Sequence, residues 1–171
     1  MIKRILDPEE FKVLLGDIDT LFKEENKVNG HALVEHDKEY IFNAFGNKSI
    51  LAWDFFVWGH KNESNKFDAM IAFLNHKNEK FGKEIFTEYL WLSKNPRVGR
   101  KLLAKAISFA KEKEFEYVVM SCVEAHPKSK KVAHFYEKMG FIKDSETYIA
   151  KLWTKKQQSV WEKFVILLTL C

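Results

Sequence analysis

The sequence predicts a single mixed α/β (α+β) domain with a mostly antiparallel central sheet flanked by helices. Three observations lead to this fold class. Apolar residues recur at helical spacing near the start of the chain and again in two later segments. Segments rich in aromatic and β-branched residues, typical of strands, lie between them. The 171 residues suit one domain, and the 46% of hydrophobic residues supply a core. The expected order of elements is β-α-α-β-β-β-α-β-α-β-β.

The first elements show clear start signals. Ile2–Leu6 is expected to form a short strand. Asp7 then caps a helix that has Pro8 at its first position and Glu10 where a capping box has its acid. One face of this helix is apolar and carries Phe11, Leu14, Leu15, Ile18 and Phe22. After a loop around Asn29-Gly30, a second helix is expected over much of Glu35–Phe45, with Tyr40, Ile41, Ala44 and Phe45 on one side.

Three strands follow. Ser49–His60 is rich in aromatic and branched residues, and Phe67–His76 and Glu84–Ser93 are two further predicted strands. Short polar turns separate them, which predicts an antiparallel meander. Trp53, Trp58 and Trp91 are interpreted as core residues or a cleft wall rather than a base-stacking platform, and Trp53–Trp58 could equally wall an acceptor pocket.

The C-terminal half adds two helices and more strands. A long helix has one apolar face made of Val98, Leu102, Leu103, Ala106 and Ala110. The strand Tyr117–Cys122 follows. The next helix is expected to end at Gly140, and one of its faces carries Val132, Phe135, Tyr136 and Met139. Phe141–Lys143 and Thr147–Leu152 are expected to form a final hairpin. The domain therefore spans residues 1–152.

The tail, residues 153–171, has a role that the pattern leaves open. Its apolar run Phe164–Leu170 is far shorter than the roughly 20 residues that a membrane-spanning helix needs. A packed terminal helix or the contact of a homodimer fits better, and no membrane association is expected. The opening MIKRILDPEEF does not resemble a signal peptide.

Charge and cysteine content limit the function classes. With 28 basic and 24 acidic residues the net charge is +4, and no basic stripe suggests nucleic acid, so a small anionic ligand is favoured. The two cysteines, Cys122 and Cys171, cannot form a disulfide framework or a cysteine-rich zinc site. His31 and His36 do not share a helical face, so no metal is expected. We expect a reducing, cytoplasmic setting.

The turn before the long helix is the first candidate site. Asn95–Lys101 places arginines, a proline and one glycine at the start of a helix, where unpaired N–H groups and the helix dipole favour phosphate. Gly99 would let the backbone approach a ligand closely. The alternative is an ordinary strand-to-helix connection with a solvated basic rim.

The second candidate site is the helical segment Ser129–Phe141, SKKVAHFYEKMGF. With the preceding turn and the order of elements, it resembles the GNAT superfamily of N-acetyltransferases from about Phe67 to Leu152. The family helix reads Asn-x-x-Ala-x-x-Phe-Tyr-Glu-x-x-Gly-Phe, and Ser129 here replaces its asparagine. The family turn, Gln/Arg-x-x-Gly-x-Gly/Ala, holds the pyrophosphate of acetyl-coenzyme A.

The turn departs from the family pattern at one position. Lys94 stands at its first position and Gly99 at its last, but Arg97 stands where the middle glycine is usual. The resemblance implies acetyl-coenzyme A as co-substrate. The cofactor-binding residues that it implies are Leu90, Leu92, Lys94, Arg97, Val98, Gly99, Arg100, Lys101, Ser129 and Phe135.

The resemblance also implies a direct attack of an amine on the thioester in a ternary complex. The backbone N–H of Leu90 or Leu92 would polarise the thioester oxygen. Tyr136 matches the position that protonates the coenzyme A thiolate, although it could instead be a core residue. Glu88, an acid within an apolar strand, is the first candidate for the general base, and a salt-bridged edge acid is its alternative. The weaker candidates are Glu124 and His126.

The sequence thus predicts an N-acetyltransferase that moves an acetyl group to a primary amine of a small molecule or a protein. The departure at Arg97 supports an alternative, a non-catalytic acyl-coenzyme A-binding or regulatory module with the same fold. A third hypothesis, a nucleic-acid or protein interaction domain, would draw on the basic helix face and the apolar tail.

Overall fold

The computed structural model describes residues 1–28, 37–78, 83–121 and 129–143. These residues form five strands and six helices, which we number along the chain. The strands are β1 (Ile2–Ile5), β2 (Phe55–Lys61), β3 (Phe67–Asn78), β4 (Lys83–Ser93) and β5 (Tyr117–Val119). The helices are α1 (Pro8–Asp17), α2 (Asp19–Val28), α3 (Lys38–Phe45), α4 (Lys48–Trp53), α5 (Pro96–Glu112) and α6 (Ser129–Lys138).

The strands form one sheet in the order β1-β2-β3-β4-β5. The first four pair antiparallel in sequence order, which confirms the predicted meander. β5 pairs with β4 in parallel, because α5 carries the chain back to the same end of the sheet. The fold is therefore the predicted mixed α/β class, with a mostly antiparallel sheet flanked by helices.

Each face of the sheet carries its own hydrophobic cluster. One face packs against α1 to α4 through buried residues such as Phe11, Leu51 and Phe55. The other packs against α5 through residues such as Phe73, Phe86 and Leu103. A β-bulge in β4 decides which side chains reach which face, because Ala72 of β3 pairs with Leu90 and Phe73 pairs with Glu88. Tyr89, the extra residue, is left between them.

The predicted start of α1 is confirmed. Asp7 accepts a hydrogen bond from the Glu10 N–H at 3.0 Å, and Pro8 occupies the first helical position. The predicted apolar face is buried throughout, but it belongs to two helices. α1 ends at Asp17, and the turn at Ile18 leads directly into α2. Helical spacing continues across the break, so the spacing alone could not reveal it.

Two predictions in the first half are wrong. Ser49–Trp53 was expected in a strand but lies in α4, where Asn47 accepts a hydrogen bond from the Ser49 N–H at 2.8 Å and so starts a helix. Tyr40 was expected on the same side of its helix as Ile41, but Tyr40 is 66% exposed whereas Ile41 is buried.

The C-terminal elements agree more closely with expectation. The predicted apolar face of α5 is buried except for Val98, which packs against the core cluster from a partly exposed position. Gly140 follows α6 with a φ of 87°, which is the left-handed conformation expected of a helix-terminating glycine. Met139 is 42% exposed and does not continue the buried face.

Other expectations for the C-terminal half differ from the structure or concern residues that it does not describe. β5 is shorter than predicted, and Phe141–Lys143 contains no strand. The Asn29-Gly30 loop, Cys122, the hairpin partner Thr147–Leu152 and the tail 153–171 lie outside the described residues. Of the helices in the described part of the chain, none is both long and apolar enough to cross a membrane.

Candidate active site

The sheet opens between β4 and β5. β5 pairs only with Ile85–Thr87, and the bulge at Tyr89 follows almost at once. The end of β4, from Leu90 to Ser93, pairs with β3 on one side and with no other strand among the described residues. In an antiparallel pair the N–H groups alternate between facing the partner and facing away. This part of β4 therefore presents backbone N–H groups to the opening.

Glu88 lies where the two strands part. The Ser121 N–H, just beyond β5, donates to Glu88 Oε2 at 2.9 Å, and the Tyr136 side chain also hydrogen-bonds to the carboxylate. Burial of the carboxyl raises the pKa of Glu88 to about 7, against the opposing effect of these two hydrogen bonds. A carboxyl with this pKa exchanges protons readily near neutral pH.

Tyr136 reaches the same place from α6. It is 7% exposed, and its hydroxyl donates to the Ser121 carbonyl oxygen at 3.3 Å. Its ring packs against Trp91 of β4, with ring centroids 6.4 Å apart, and against Phe141 after the helix, at 5.7 Å. The structure thus brings together the two residues that the sequence analysis singled out for catalysis, although they are 48 positions apart.

Trp91 is a site residue whose importance the sequence analysis missed. Its ring contacts Phe135 of α6 at a centroid distance of 6.3 Å, and it faces Gly99 of α5. A Cβ added at Gly99 would lie 3.2 Å from the indole. The indole Nε1 is buried and has no hydrogen-bond partner in the described structure. Such a donor favours a ligand that brings an acceptor.

The start of α5 is capped by its own sequence. The Arg97 N–H donates to Asn95 Oδ1 at 2.9 Å, and the Gly99 N–H donates to the Asn95 carbonyl oxygen at 2.9 Å. Pro96 has no N–H. Fewer backbone donors are therefore available than the sequence suggested. The charge is as expected, because the first turn contains no acidic residue and Arg97, Arg100 and Lys101 are exposed there.

Two other residues of this turn have partners within the protein. Lys94 forms an ion pair with Glu24 of α2, with 2.7 Å between Nζ and Oε1. Gly99 is buried against Trp91 and Ser93, so its missing Cβ allows α5 to pack closely on β4. Its contact with a ligand stays a prediction.

The remaining predicted residues lie around the opening or outside the described chain. The Leu90 and Leu92 side chains are buried in the cluster under α1 to α4, so only their backbone can face a ligand. Ser129 is the first residue of α6, and Phe135 is partly buried against Trp91. Glu124 and His126 lie outside the described residues. Within the described residues, no group of histidine, cysteine and acidic side chains could hold a metal ion.

These residues fit a long anionic ligand that carries a reactive carbonyl. The cationic first turn of α5 suits phosphate. The Trp91 Nε1 donor, which has no partner among the described residues, and the backbone of the β4 edge suit amide or carbonyl oxygens, and Glu88 with Tyr136 can exchange protons.

Several solved structures with the same fold are named as acetyltransferases. A ribosomal-protein-alanine N-acetyltransferase from Brucella melitensis biovar Abortus 2308 is 9% identical, with a TM-score of 0.62 over 89% of this chain and 99% of that one. An aminoglycoside acetyltransferase from an uncultured soil metagenomic sample, in complex with sisomicin, is 16% identical, with a TM-score of 0.63 over 89% and 96%. An acetyltransferase from Trypanosoma brucei is 11% identical, with a TM-score of 0.61 over 89% and 99%.

The sequence itself also matches a family. None of the curated proteins matches it. However, the sequence pattern of the Acetyltransferase (GNAT) family matches residues 23–141, which is well over half of the chain and includes α5, β5, α6 and the opening between β4 and β5. The chain therefore belongs to the GNAT family of acetyltransferases.

Proposed function

We propose that this protein transfers an acetyl group from acetyl-coenzyme A to a primary amine, by direct attack within a ternary complex. The family supports acetyl transfer in general. The observation that carries the finer proposal is the hydrogen-bonded contact of Glu88 and Tyr136 where β4 leaves β5. A proton acceptor and a proton donor there suit a reaction that must deprotonate an amine and protonate a thiolate.

The co-substrate would lie along the α5–α6 side of the opening. Arg97, Arg100 and Lys101 would attract its phosphates, with the Val98 and Gly99 backbone beside them. Lys94 would join them only if it released Glu24. Ser129 and Phe135 of α6, with the edge of β4, would hold the pantetheine. When bound, acetyl-coenzyme A supplies an activated thioester, and the N–H of Leu90 or Leu92 would polarise its carbonyl.

Glu88 and Tyr136 would handle the protons. Glu88 takes a proton from the attacking amine, directly or through a water molecule, and must be ionised to do so. Tyr136 is neutral at pH 7, because a phenol has a pKa of about 10, and can donate to the leaving sulfur. Burial raises the pKa of Glu88 to about 7, so kcat/KM should rise as the pH increases through 7 when Glu88 ionises, and this part of the rise should be lost in Glu88→Gln.

The acceptor is an amine, and the structural neighbours differ in the molecule that carries it. Their names include a ribosomal-protein alanine and an aminoglycoside, so a protein amine and an aminoglycoside-like small molecule are the two acceptor classes to test. We propose that residues before Phe67 choose between them, because α1 to α4 cover the face from which the second substrate would approach.

The experiment is a calorimetric titration with acetyl-coenzyme A, followed by a thiol-release assay with a panel of amines and N-terminal peptides. The wild-type protein should bind the co-substrate and release thiol with at least one acceptor. Tyr136→Phe should keep binding and lose most of the transfer. Glu84→Gln, which removes an exposed carboxylate from the same strand, is the matched control and should behave as wild type.

Each other outcome argues against the proposal. Binding without transfer to any acceptor would favour the non-catalytic acyl-coenzyme A-binding module. No binding would contradict both, and would indicate that Arg97 and the capped start of α5 do not accept the phosphates.

A further inference from the structure

Glu88, the peptide groups of Ser121 and the Tyr136 hydroxyl are linked by hydrogen bonds at the opening. The Ser121 N–H donates to Glu88 Oε2 at 2.9 Å, and the Tyr136 hydroxyl donates to the Ser121 carbonyl oxygen at 3.3 Å. A hydrogen bond between Glu88 and Tyr136 closes the ring. Ser121 contributes only its peptide N–H and C=O to these bonds. This role cannot be read from its side chain.

We propose that this ring is a proton relay, in which a proton gained by Glu88 is passed to Tyr136 as Tyr136 gives up its own. The proposal rests on the proposed function, and it adds that the base and the acid act as one unit. Ser121 is then a positioning residue, because its peptide groups hold both side chains in line.

The ring has two arrangements that differ in one proton. When Glu88 is neutral, its carboxyl O–H donates to the Tyr136 oxygen, the Tyr136 O–H donates to the Ser121 carbonyl, and the Ser121 N–H donates to Glu88. Every donor then has one acceptor. When Glu88 is ionised, the carboxylate draws the Tyr136 proton toward itself and away from the Ser121 carbonyl. The charge of Glu88 thus decides which way the tyrosine proton points.

The relay balances the proposed reaction. A neutral primary amine forms a C–N bond to the acetyl carbon, and the C–S bond breaks. One amine proton goes to Glu88, the Tyr136 proton goes to the sulfur, and Glu88 returns a proton to Tyr136. The net change moves one proton from nitrogen to sulfur, and both side chains recover their starting state. No oxidant or other reactant is needed.

The described surroundings of Glu88 contain one titratable partner. Its partner on β3 is Phe73, and the pairing of β4 with β5 ends one residue earlier, at Thr87 and Val119. From α6 it meets Tyr136, and the causes of its raised pKa include no charged side chain. A titration at this ring that disappears in Glu88→Gln would therefore report Glu88.

The test is nuclear magnetic resonance of the protein alone. The Ser121 amide and the ζ-carbon of Tyr136, assigned by its loss in Tyr136→Phe, are followed from about pH 5 to about pH 9, where the phenol itself stays neutral. Both signals should titrate together with one midpoint near 7 in the wild type and in the control Glu84→Gln. Neither should titrate in Glu88→Gln.

The wild-type titration alone can overturn the relay, so the test does not depend on the folding of Glu88→Gln. A Tyr136 signal that does not move, or that moves with a midpoint different from that of Ser121, would refute it. A Tyr136 titration that persists in folded Glu88→Gln would also refute it.

Kinetics provide a second arm that separates the relay from the function. Two parts of one relay should show non-additive losses, so the double variant Glu88→Gln/Tyr136→Phe should lose no more kcat than the worse single variant. Losses that multiply would refute the relay while leaving acetyl transfer intact. Absence of transfer in the wild type would instead refute the proposed function, whatever the resonance titrations show.

Discussion

Helices α1 and α5 begin with the same backbone arrangement. Each has an Asp or Asn cap followed by proline, Asp7-Pro8 in one and Asn95-Pro96 in the other. In each, the N–H of the fourth helical residue donates to the carbonyl of the cap residue at 2.9 Å. Short-range structure therefore does not distinguish the helix that faces the candidate site from the helix that packs under the sheet.

Their charges are opposite. α1 has an aspartate cap and two acids, Glu9 and Glu10, in its first turn, and Glu10 also pairs with Lys3 at 2.7 Å. α5 has a neutral asparagine cap, no acid in its first turn, and the exposed Arg97 and Arg100. The dipole of α1 is neutralised by its own residues, whereas that of α5 is left for an anion from outside. The N-terminus of a helix favours an external anion when its first turn contains no acidic residue to neutralise the helix dipole.

The largest effect is expected from giving α5 the charge of α1. Arg97→Glu/Arg100→Glu should weaken acetyl-coenzyme A binding by at least about tenfold, since two exposed attractions to phosphate become repulsions. Thermal stability should not fall, because acids favour the first turn of a helix. Calorimetry would measure the affinity. Lys105→Glu, an exposed charge later in the same helix, is the control, and equal losses in both would refute a local phosphate site.

The next largest effect is expected on stability, from replacing one glycine by alanine in each of the two helices. Gly99→Ala should lower the free energy of unfolding by about 1 kcal/mol, because overpacking against Trp91 exceeds the gain in helix propensity. Gly16→Ala in α1 should raise it by roughly 0.5–1 kcal/mol, since nothing lies within 4 Å of a Cβ added there. Denaturant unfolding would compare them. If Gly99→Ala were more stable than the wild type, the contact between residue 99 and Trp91 would not be tight.

Removing the cap of α1 should affect stability only. Asp7→Ala should cost about 1 kcal/mol of unfolding free energy through the lost bond to the Glu10 N–H. Acetyl-coenzyme A affinity should not change. Asp7→Asn keeps a capping oxygen and should stay within a few tenths of a kcal/mol of wild type. A weaker affinity in folded Asp7→Ala would show that the two helix starts are coupled.

The smallest effect is expected from one added charge at the cap of α5. Asn95→Asp keeps the bond to the Arg97 N–H, so the helix should be as stable as before. The new carboxylate should lower acetyl-coenzyme A affinity about threefold by repulsion. Asn47→Asp makes the same change at the cap of α4 and should not alter affinity. An unchanged affinity in Asn95→Asp would place the phosphates elsewhere.

Local signals predicted much of this fold. The cap of α1, the buried face of α5 and the meander were all predicted from patterns that span a few residues. α4 was not, because Ser49–Trp53 has apolar residues that suit a strand or a helix equally, and the Asn47 cap decides between them. The break between α1 and α2 was missed for a similar reason, since the apolar spacing continues through Ile18.

The candidate site was less predictable, because its contacts join distant parts of the chain. Lys94 pairs with Glu24, 70 positions away, so a residue expected to meet phosphate has a partner already. The closeness of Gly99 to Trp91 depends on how α5 lies on β4, which no motif encodes. Ser121 takes part through its peptide groups alone, and no pattern of side chains can reveal that.

The bulge at Tyr89 limits which insertions and deletions β4 can tolerate. Because one extra residue reverses the alternation of β4, Leu90 and Leu92 face one hydrophobic cluster while Trp91 faces the other, on the same side as Phe86. Deleting one codon here would exchange those faces and turn the indole away from Gly99 and Tyr136. The number of residues in β4 is therefore constrained as well as their identity.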